Sequence, residues 1–195
     1  MTKNKLIAQA DELQQQANGV LIALDLLNYL SRYGHPRVVG SVALGLMTWR
    51  DIDIDLEVTG DLREEGFWET AKHLLGQDNV TLLTLVDNRQ LIEKNRPLSM
   101  YIGIKYLGVD QTVWKIDLRF VSEMDAIAQK YIEAIRSKLT TETRNYILSI
   151  KNVVAVDPRY RSKFSSVDIY NAVLENGVVD IDGFKNKLRE SGIEL

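Results

Sequence analysis

Cysteine is absent from this 195-residue sequence, histidine occurs twice and proline three times. Without thiols there is no disulfide framework, no thiolate zinc site and no cysteine nucleophile, and with so little imidazole any metal site must rest on carboxylates. Long apolar runs are missing as well. No stretch approaches the roughly 18 residues of a membrane span, and the opening MTKNKLIAQADELQQQ lacks the continuous apolar core of a secretory signal. The sequence therefore reads as cytoplasmic, with no membrane partner.

An excess of either charge is lacking too. The 24 Lys+Arg and 27 Asp+Glu leave a net −3, divided as −4 over residues 1–100 (10 basic, 14 acidic) and +1 over residues 101–195 (14 basic, 13 acidic). So even a balance argues against nucleic acid as the main partner, while leaving room for a local phosphate site.

What remains is a globular chain, 45% hydrophobic, with no repeat, low-complexity tract or Gly/Ser linker. From Lys5 to Tyr33 apolar residues recur at helical spacing (Leu6, Ile7, Ala10, Leu13, Val20, Leu21, Leu24), predicting one long helix or two with a break near Asn18-Gly19. Val38-Val39-Gly40 reads as a short strand running into Ser41 and a helical segment, Val42 to Met47. Asp51 to Val58 alternates strictly and predicts a strand with one apolar and one acidic face. A helix from about Glu64 to Leu75, a strand over Val80 to Val86, and two β-rich runs, 98–107 and 111–121, joined at Gly108-Val109-Asp110 as a hairpin, follow. From Ser122 onward the pattern is helical, with breaks at Leu139-Thr140, Asp157-Pro158 and Asn176-Gly177. The sum is an α+β protein: a mixed half over residues 1–121, and a helical C-terminal half, 122–195, packed on it.

The acidic strand is the most informative feature. Aspartate is depleted in strands, and alternate positions set like charges about 7 Å apart on one face. An edge strand with a solvated face is the plain alternative. The functional alternative is a divalent-cation site, because hard ions such as Mg²⁺ prefer carboxylate oxygens and keep positions open for phosphates. Two carboxylates from Asp51, Asp53 and Asp55, with a third from a neighbouring strand, can hold two ions at the spacing phosphoryl chemistry needs. Asp117, in Lys115-Ile116-Asp117-Leu118-Arg119, is the natural third member, and Lys115 and Arg119 share its face. Gly40 allows close backbone approach and Ser41 offers a hydroxyl and an N–H, which together suit a phosphate.

The run Gly40-Ser41-Val42-Ala43-Leu44-Gly45, then Asp51-Ile52-Asp53 about ten residues on, then Asp117 on a later strand, resembles the signature of the polymerase-β-type nucleotidyltransferase superfamily over roughly residues 36 to 121. Trp49-Arg50-Asp51-Ile52-Asp53-Ile54 further resembles a stretch of the small antibiotic nucleotidyltransferases, which act on aminoglycosides or lincosamides. The resemblance implies a nucleotidyltransferase-like mixed sheet flanked by helices, with residues 1–121 as the catalytic domain. It implies an enzyme that uses two Mg²⁺ to transfer a nucleoside monophosphate from a nucleoside triphosphate, ATP first, to the hydroxyl of a small molecule, with antibiotic resistance as the role. Gly40 and Ser41 would then bind phosphate, Asp51 and Asp53 would ligate both ions, and Asp117 would ligate one and serve or position the general base. Asp53-Ile54-Asp55 satisfies the same pattern two residues later, so Asp55 stays a candidate ligand. Leu44 stands where many members carry Arg, and Arg50, Lys115 or Arg119 are the cations available in its place. A helical half building the acceptor pocket, across a homodimer interface, completes the expectation. A protein or RNA acceptor, and a non-catalytic nucleotide- or metal-binding regulator, are the alternatives.

The basic run Lys151, Arg159, Arg161 and Lys163 reads as a solvated loop rather than a cleft wall. Trp49, Trp68 and Trp114 read as buried packing, and His35 and His73 as loop and surface residues without chemistry.

Overall fold

In the computed structural model, which describes residues 3–58, 60, 62–89, 99–121 and 126–194, the alternating run at Asp51 forms strand β2 (Asp51–Glu57) of a five-stranded sheet. The strand order is β1-β2-β5-β4-β3, with β1 (His35–Val39), β3 (Val80–Asp87), β4 (Ser99–Leu107) and β5 (Val113–Val121). β1 runs antiparallel to β2, and β4 is antiparallel to both β3 and β5. β2 and β5 are the one parallel pair of this sheet, and joining parallel neighbours needs the long crossover found between them.

Pleat periodicity then decides the two faces. Ile52, Ile54 and Leu56 of β2, Ile116, Leu118 and Phe120 of β5, and Ile102 and Ile104 of β4 are buried on one face. Helices α1 (Lys3–Ala23), α2 (Leu26–Leu30) and α4 (Leu62–Leu75) supply Leu13, Val20, Leu30, Phe67 and Leu74 to the same core, and Leu24 joins it from the turn between α1 and α2. The odd-numbered residues of β2 and β5 are left on the opposite face.

α3 (Gly40–Leu44) starts where β1 ends and joins two cores, since Val42 packs with the sheet and Leu44 and Leu46 pack with the C-terminal helices. Those are α5 (Ala126–Lys138), α6 (Thr141–Val154), α7 (Ser166–Asn176) and α8 (Ile181–Glu190). Capping boxes start α6 at Thr140, with Thr143, and α7 at Ser165, with Asp168, while Gly177 ends α7 at φ 66°. The architecture is α+β, a mixed sheet with eight helices among the described residues.

Several boundaries differ from the pattern. α1 runs unbroken through Gly19, and the break falls at Asp25, which takes a left-handed conformation (φ 46°) at the start of α2. Glycine in a helix weakens it by about 1 kcal/mol, and the buried Ala17, Val20 and Leu21 around Gly19 offset that. β1 begins at His35, earlier than the apolar run suggests, because Val38 and Val39 pair with Ile54 and Asp53 and carry His35 to Val39 into register. Helix α3 ends at Leu44, short of Met47, with Gly45 left-handed after it. Residues 122–125, where the helical pattern begins, lie outside the described residues. No helix among those described is long and apolar enough to cross a membrane.

Candidate active site

The parallel register sets Asp53 directly beside Asp117, Asp51 beside Lys115 and Asp55 beside Arg119. Carboxylate oxygens of Asp51, Asp53 and Asp117 lie within 4.8 Å of one another. Asp55 stands apart from this group. Both its oxygens are taken by the Arg119 fork, Nε donating at 2.7 Å and Nη2 at 2.8 Å. A bidentate pair of this kind is among the stronger ionic contacts, and it occupies two of the residues that the sequence offered for metal and phosphate.

The three clustered carboxylates have unequal surroundings. Asp51 accepts from Arg161 Nη2 at 2.6 Å and, more weakly, from Lys115 Nζ and Trp49 Nε1, each at 3.4 Å. Asp117 accepts from the Tyr101 hydroxyl at 2.7 Å on Oδ1 and from Lys115 Nζ on Oδ2. No donor among the described residues reaches the Asp53 carboxylate. Burial, then the neighbouring charges of Asp51 and Asp117, push its carboxyl up to about 6. The donor set is hard oxygen with negative charge left over, which fits Mg²⁺ or Mn²⁺ and not a soft ion.

Tyr101 reaches Asp117 because β4 opposes β5 with Gly103 facing Asp117. A Cβ at Gly103 would stand 2.6 Å from the Tyr101 hydroxyl, so the missing side chain is the space the phenol uses. The Gly40-Ser41 turn follows similar logic. Gly40 has φ 63°, and a Cβ there would lie 2.5 Å from Asp53 Oδ2. The turn therefore crosses directly above the carboxylate that lacks a donor. We expect Gly40→Ala to lower stability by about 1–2 kcal/mol through backbone strain alone and to weaken Mn²⁺ binding several-fold, checked by urea denaturation beside a Mn²⁺ titration.

Ser41 is held from below by a residue whose basic neighbours in sequence suggest a solvated loop. Lys151 of α6 is fully buried, and its Nζ donates to Ser41 Oγ and the Leu46 carbonyl, each at 2.7 Å. Burial pulls its ammonium down to about 7, against the attraction of Asp53. Ile147, Ile150 and Val154 are buried at helical spacing around it, so position 151 lies on the apolar stripe of α6. That spacing is legible in the sequence and marks Lys151 as a buried cation. No comparable signal points to Tyr101.

The rest of the basic run divides. Arg161 reaches Asp51, whereas Arg159 pairs with Asp157 in its own turn and Lys163 is exposed. Of the tryptophans only Trp114 is buried. Trp68 is exposed on α4, and Trp49 lines the cleft with its ring between Lys151 Nζ, 4.8 Å away, and the Arg161 guanidinium, 5.2 Å away. His73 stacks on Tyr29 at 3.8 Å, half-buried rather than at the surface, and His35 is exposed. Neither approaches the carboxylates closely enough to join their cluster. Leu44 is buried against the helical core, and the nearest cation to the Gly-Ser turn is Lys151, not Arg50, Lys115 or Arg119. The carboxylates and Ser41 open on a cleft of about 570 Å³, closed opposite by Tyr131 and Ile135 of α5, Tyr160 and Arg161 of the α6–α7 turn, and Tyr170 of α7.

This sheet, with its Gly-Ser turn and an acidic pair on β2 beside Asp117 on the parallel β5, has a nucleotidyltransferase-like fold. Solved structures with it include the Cid1 poly(U) polymerase bound to MgGTP (TM-score 0.58, 16% identity, 84% of this chain and 50% of that one). They also include the GLD-2/RNP-8 complex (TM-score 0.58, 14% identity, 89% and 56%). A third is the STING-associated CdnE c-di-GMP synthase of Capnocytophaga granulosa (TM-score 0.52, 14% identity, 94% and 70%). The chain spans about half the length of the first two. Neither a protein-family model nor a curated protein matches the sequence. The likeness is thus one of fold, and the narrower resemblance to antibiotic nucleotidyltransferases finds no support in it.

Proposed function

We propose that this chain transfers a nucleoside monophosphate from a nucleoside triphosphate to an acceptor hydroxyl, releasing pyrophosphate. The observation that carries the reading is the convergence of Asp51, Asp53 and Asp117 to within 4.8 Å under a Gly-Ser turn backed by a buried lysine. A pure binding module has little reason to gather three like charges where, among the described residues, two cations, an indole and a phenol donate to them and none reaches Asp53.

In this reading Asp51, Asp53 and Asp117 hold two Mg²⁺, and Asp55 holds Arg119. When bound, the ions would supply charge neutralisation of the phosphates and acidify the acceptor hydroxyl. Ser41 and Lys151 bind the terminal phosphates, and Trp49 excludes water from that end of the cleft. The acceptor oxygen attacks the α-phosphorus, its proton passes to Asp117, and the bond to the bridging oxygen breaks so that pyrophosphate leaves with the electron pair. Tyr101 and Lys115 donate to Asp117, one on each oxygen, and the proton would be taken on a remaining lone pair of that carboxylate. ATP is the proposed nucleotide and a small molecule the proposed acceptor, supported by the confined cleft and by a charge balance without basic excess. A second hydrophobic core, built mostly by α5 to α8 and joined to the first through Leu44 and Leu46, supports residues 1–121 as the catalytic domain and 122–195 as the wall of the acceptor pocket.

A thermal-shift titration with a panel of nucleoside triphosphates tests the reading. We expect stabilisation that needs both Mg²⁺ and nucleotide, of about 3 kcal/mol at a hundredfold excess over Kd. Transfer of an α-labelled nucleotide is then compared between small hydroxyl compounds and an oligoribonucleotide. No stabilisation at millimolar ligand overturns the reading, and label on the oligoribonucleotide alone replaces the acceptor.

A further inference from the structure

Arg161 makes the only hydrogen bond, among the described residues, from the C-terminal helices and their turns to the three clustered carboxylates. It sits in the turn between α6 and α7, closed by Arg161 N–H donating to the Phe164 carbonyl at 2.6 Å and by the Tyr160–Phe164 bridge. Its backbone is left-handed, φ 69°, a conformation that a side-chain-bearing residue adopts at a cost unless something holds it. From there the guanidinium lies along Trp49 and Tyr160, and Nη2 meets Asp51 Oδ2.

Two features make this contact unlike an ordinary ion pair. Asp51 is a carboxylate that, in the proposed function, would face a divalent ion, and Arg161 already donates to one of its two oxygens. The Arg161 side chain is also 51% exposed and that of Asp51 only 10%. The arginine can therefore leave by giving up its contacts with the Trp49 and Tyr160 rings, whereas the carboxylate cannot follow it. The oxygens of a bound triphosphate would offer the departing guanidinium a multiply charged acceptor within the same cleft, which Arg161 already lines.

We propose that Arg161 is a positioning residue that occupies Asp51 in place of the divalent ion and passes to the triphosphate when ion and nucleotide enter together. The inference rests on the nucleotidyl-transfer reading and adds an order to it. Divalent metal alone binds poorly, because it must displace a cation that then has no partner. Metal with nucleotide binds well, because the same cation gains a better one. Lys115 bridges Asp51 and Asp117 as well, but from within the sheet, on the strand that carries Asp117.

The test uses opposite signs. Arg161→Asn removes the cation while asparagine tolerates the left-handed backbone, so the turn is kept, and urea denaturation verifies the fold. We expect Arg161→Asn to bind Mn²⁺ alone about fivefold more tightly than wild type, read by Mn²⁺ electron paramagnetic resonance. It should bind Mn²⁺ with a non-hydrolysable triphosphate about fivefold more weakly. Arg161→Lys, which keeps the charge without the fork, should fall between the two in both titrations. Unchanged or weaker binding of Mn²⁺ alone in Arg161→Asn overturns the proposal. If Mn²⁺ binding is meanwhile lost in Asp53→Asn, the metal site stands and only the role of Arg161 falls. If wild type, Arg161→Asn and Asp53→Asn all fail to bind Mn²⁺ at millimolar concentration, the nucleotidyl-transfer reading falls with it.

Discussion

Asp53→Asn is expected to stabilise the metal-free protein at neutral pH and to abolish Mg²⁺-dependent nucleotide transfer. The carboxyl of Asp53 ionises at about 6 in the folded chain against an ordinary value of 3.8, with burial as the first cause and Asp51 and Asp117 as the next. Between those two values the native state holds a proton that the unfolded chain has lost. Stability therefore falls as pH rises from about 4 to 6, and above 6 the whole penalty remains, at about 1.4 kcal/mol per unit, or about 3 kcal/mol in total. Asparagine has the same shape and no charge, so it leaves the approach of Gly40 undisturbed and removes the penalty. In metal-free buffer at pH 8 the variant should unfold at a higher urea concentration than wild type, with the gap closing towards pH 4. Mg²⁺ at millimolar concentration should reverse the order, because only wild type gains from a ligand that binds the native state. Pyrophosphate release should fall at least about a hundredfold. A variant less stable than wild type at pH 8 without metal would show that Asp53 has a structural partner and that the charge cluster is not strained.

How much of this could be read from the sequence follows from which forces act locally. The Asp51 to Glu57 alternation, the Asp117 strand and the Gly40-Ser41 turn were legible because pleat period and glycine chemistry operate within a few residues. The register that separates Asp51 and Asp53 from Asp55 was not. It depends on which strand lies parallel to β2, and only the pairing of Asp55 with Arg119 and of Asp53 with Asp117 distinguishes the two readings. Tyr101 was invisible for the same reason, since its hydroxyl reaches Asp117 across a strand pair and over a glycine on its own strand. Arg161 and Lys151 lie 110 residues from the partners they touch, Asp51 and Ser41. A basic run is by default a solvated surface, and nothing short of the α6–α7 turn folding over the cleft changes that for Arg161. For Lys151 the apolar spacing of α6 outweighs the default.

The same buried lysine gives the second large effect. Lys151 loses its proton at about pH 7 in the folded chain, while an unfolded chain keeps it to 10.5, because burial disfavours the ammonium more than Asp53 and Asp51 restore it and Arg161 adds repulsion. Across that window the unfolded state binds more protons, so stability rises with pH, by about 1.4 kcal/mol per unit. Comparing wild type with Lys151→Met isolates this contribution from other titrating groups. The wild-type curve should climb by roughly 2–3 kcal/mol relative to the variant between pH 7 and 9, and run parallel to it below pH 6. A nucleotide reverses the balance. Triphosphate oxygens bound at Ser41 would stand near Lys151 Nζ and favour its charged form, so binding at pH 8 should draw a proton from solvent. Calorimetry of Mg²⁺ with a non-hydrolysable triphosphate, in buffers of different ionisation enthalpy, should give uptake approaching one proton in wild type and close to none in Lys151→Met. Equal proton uptake in both proteins would leave Lys151 as a buttress for Ser41 and Leu46 only. Uptake confined to wild type, with affinity declining from pH 7 to 9, would make the lysine a direct partner of the phosphates and account for an amine at a fully buried position.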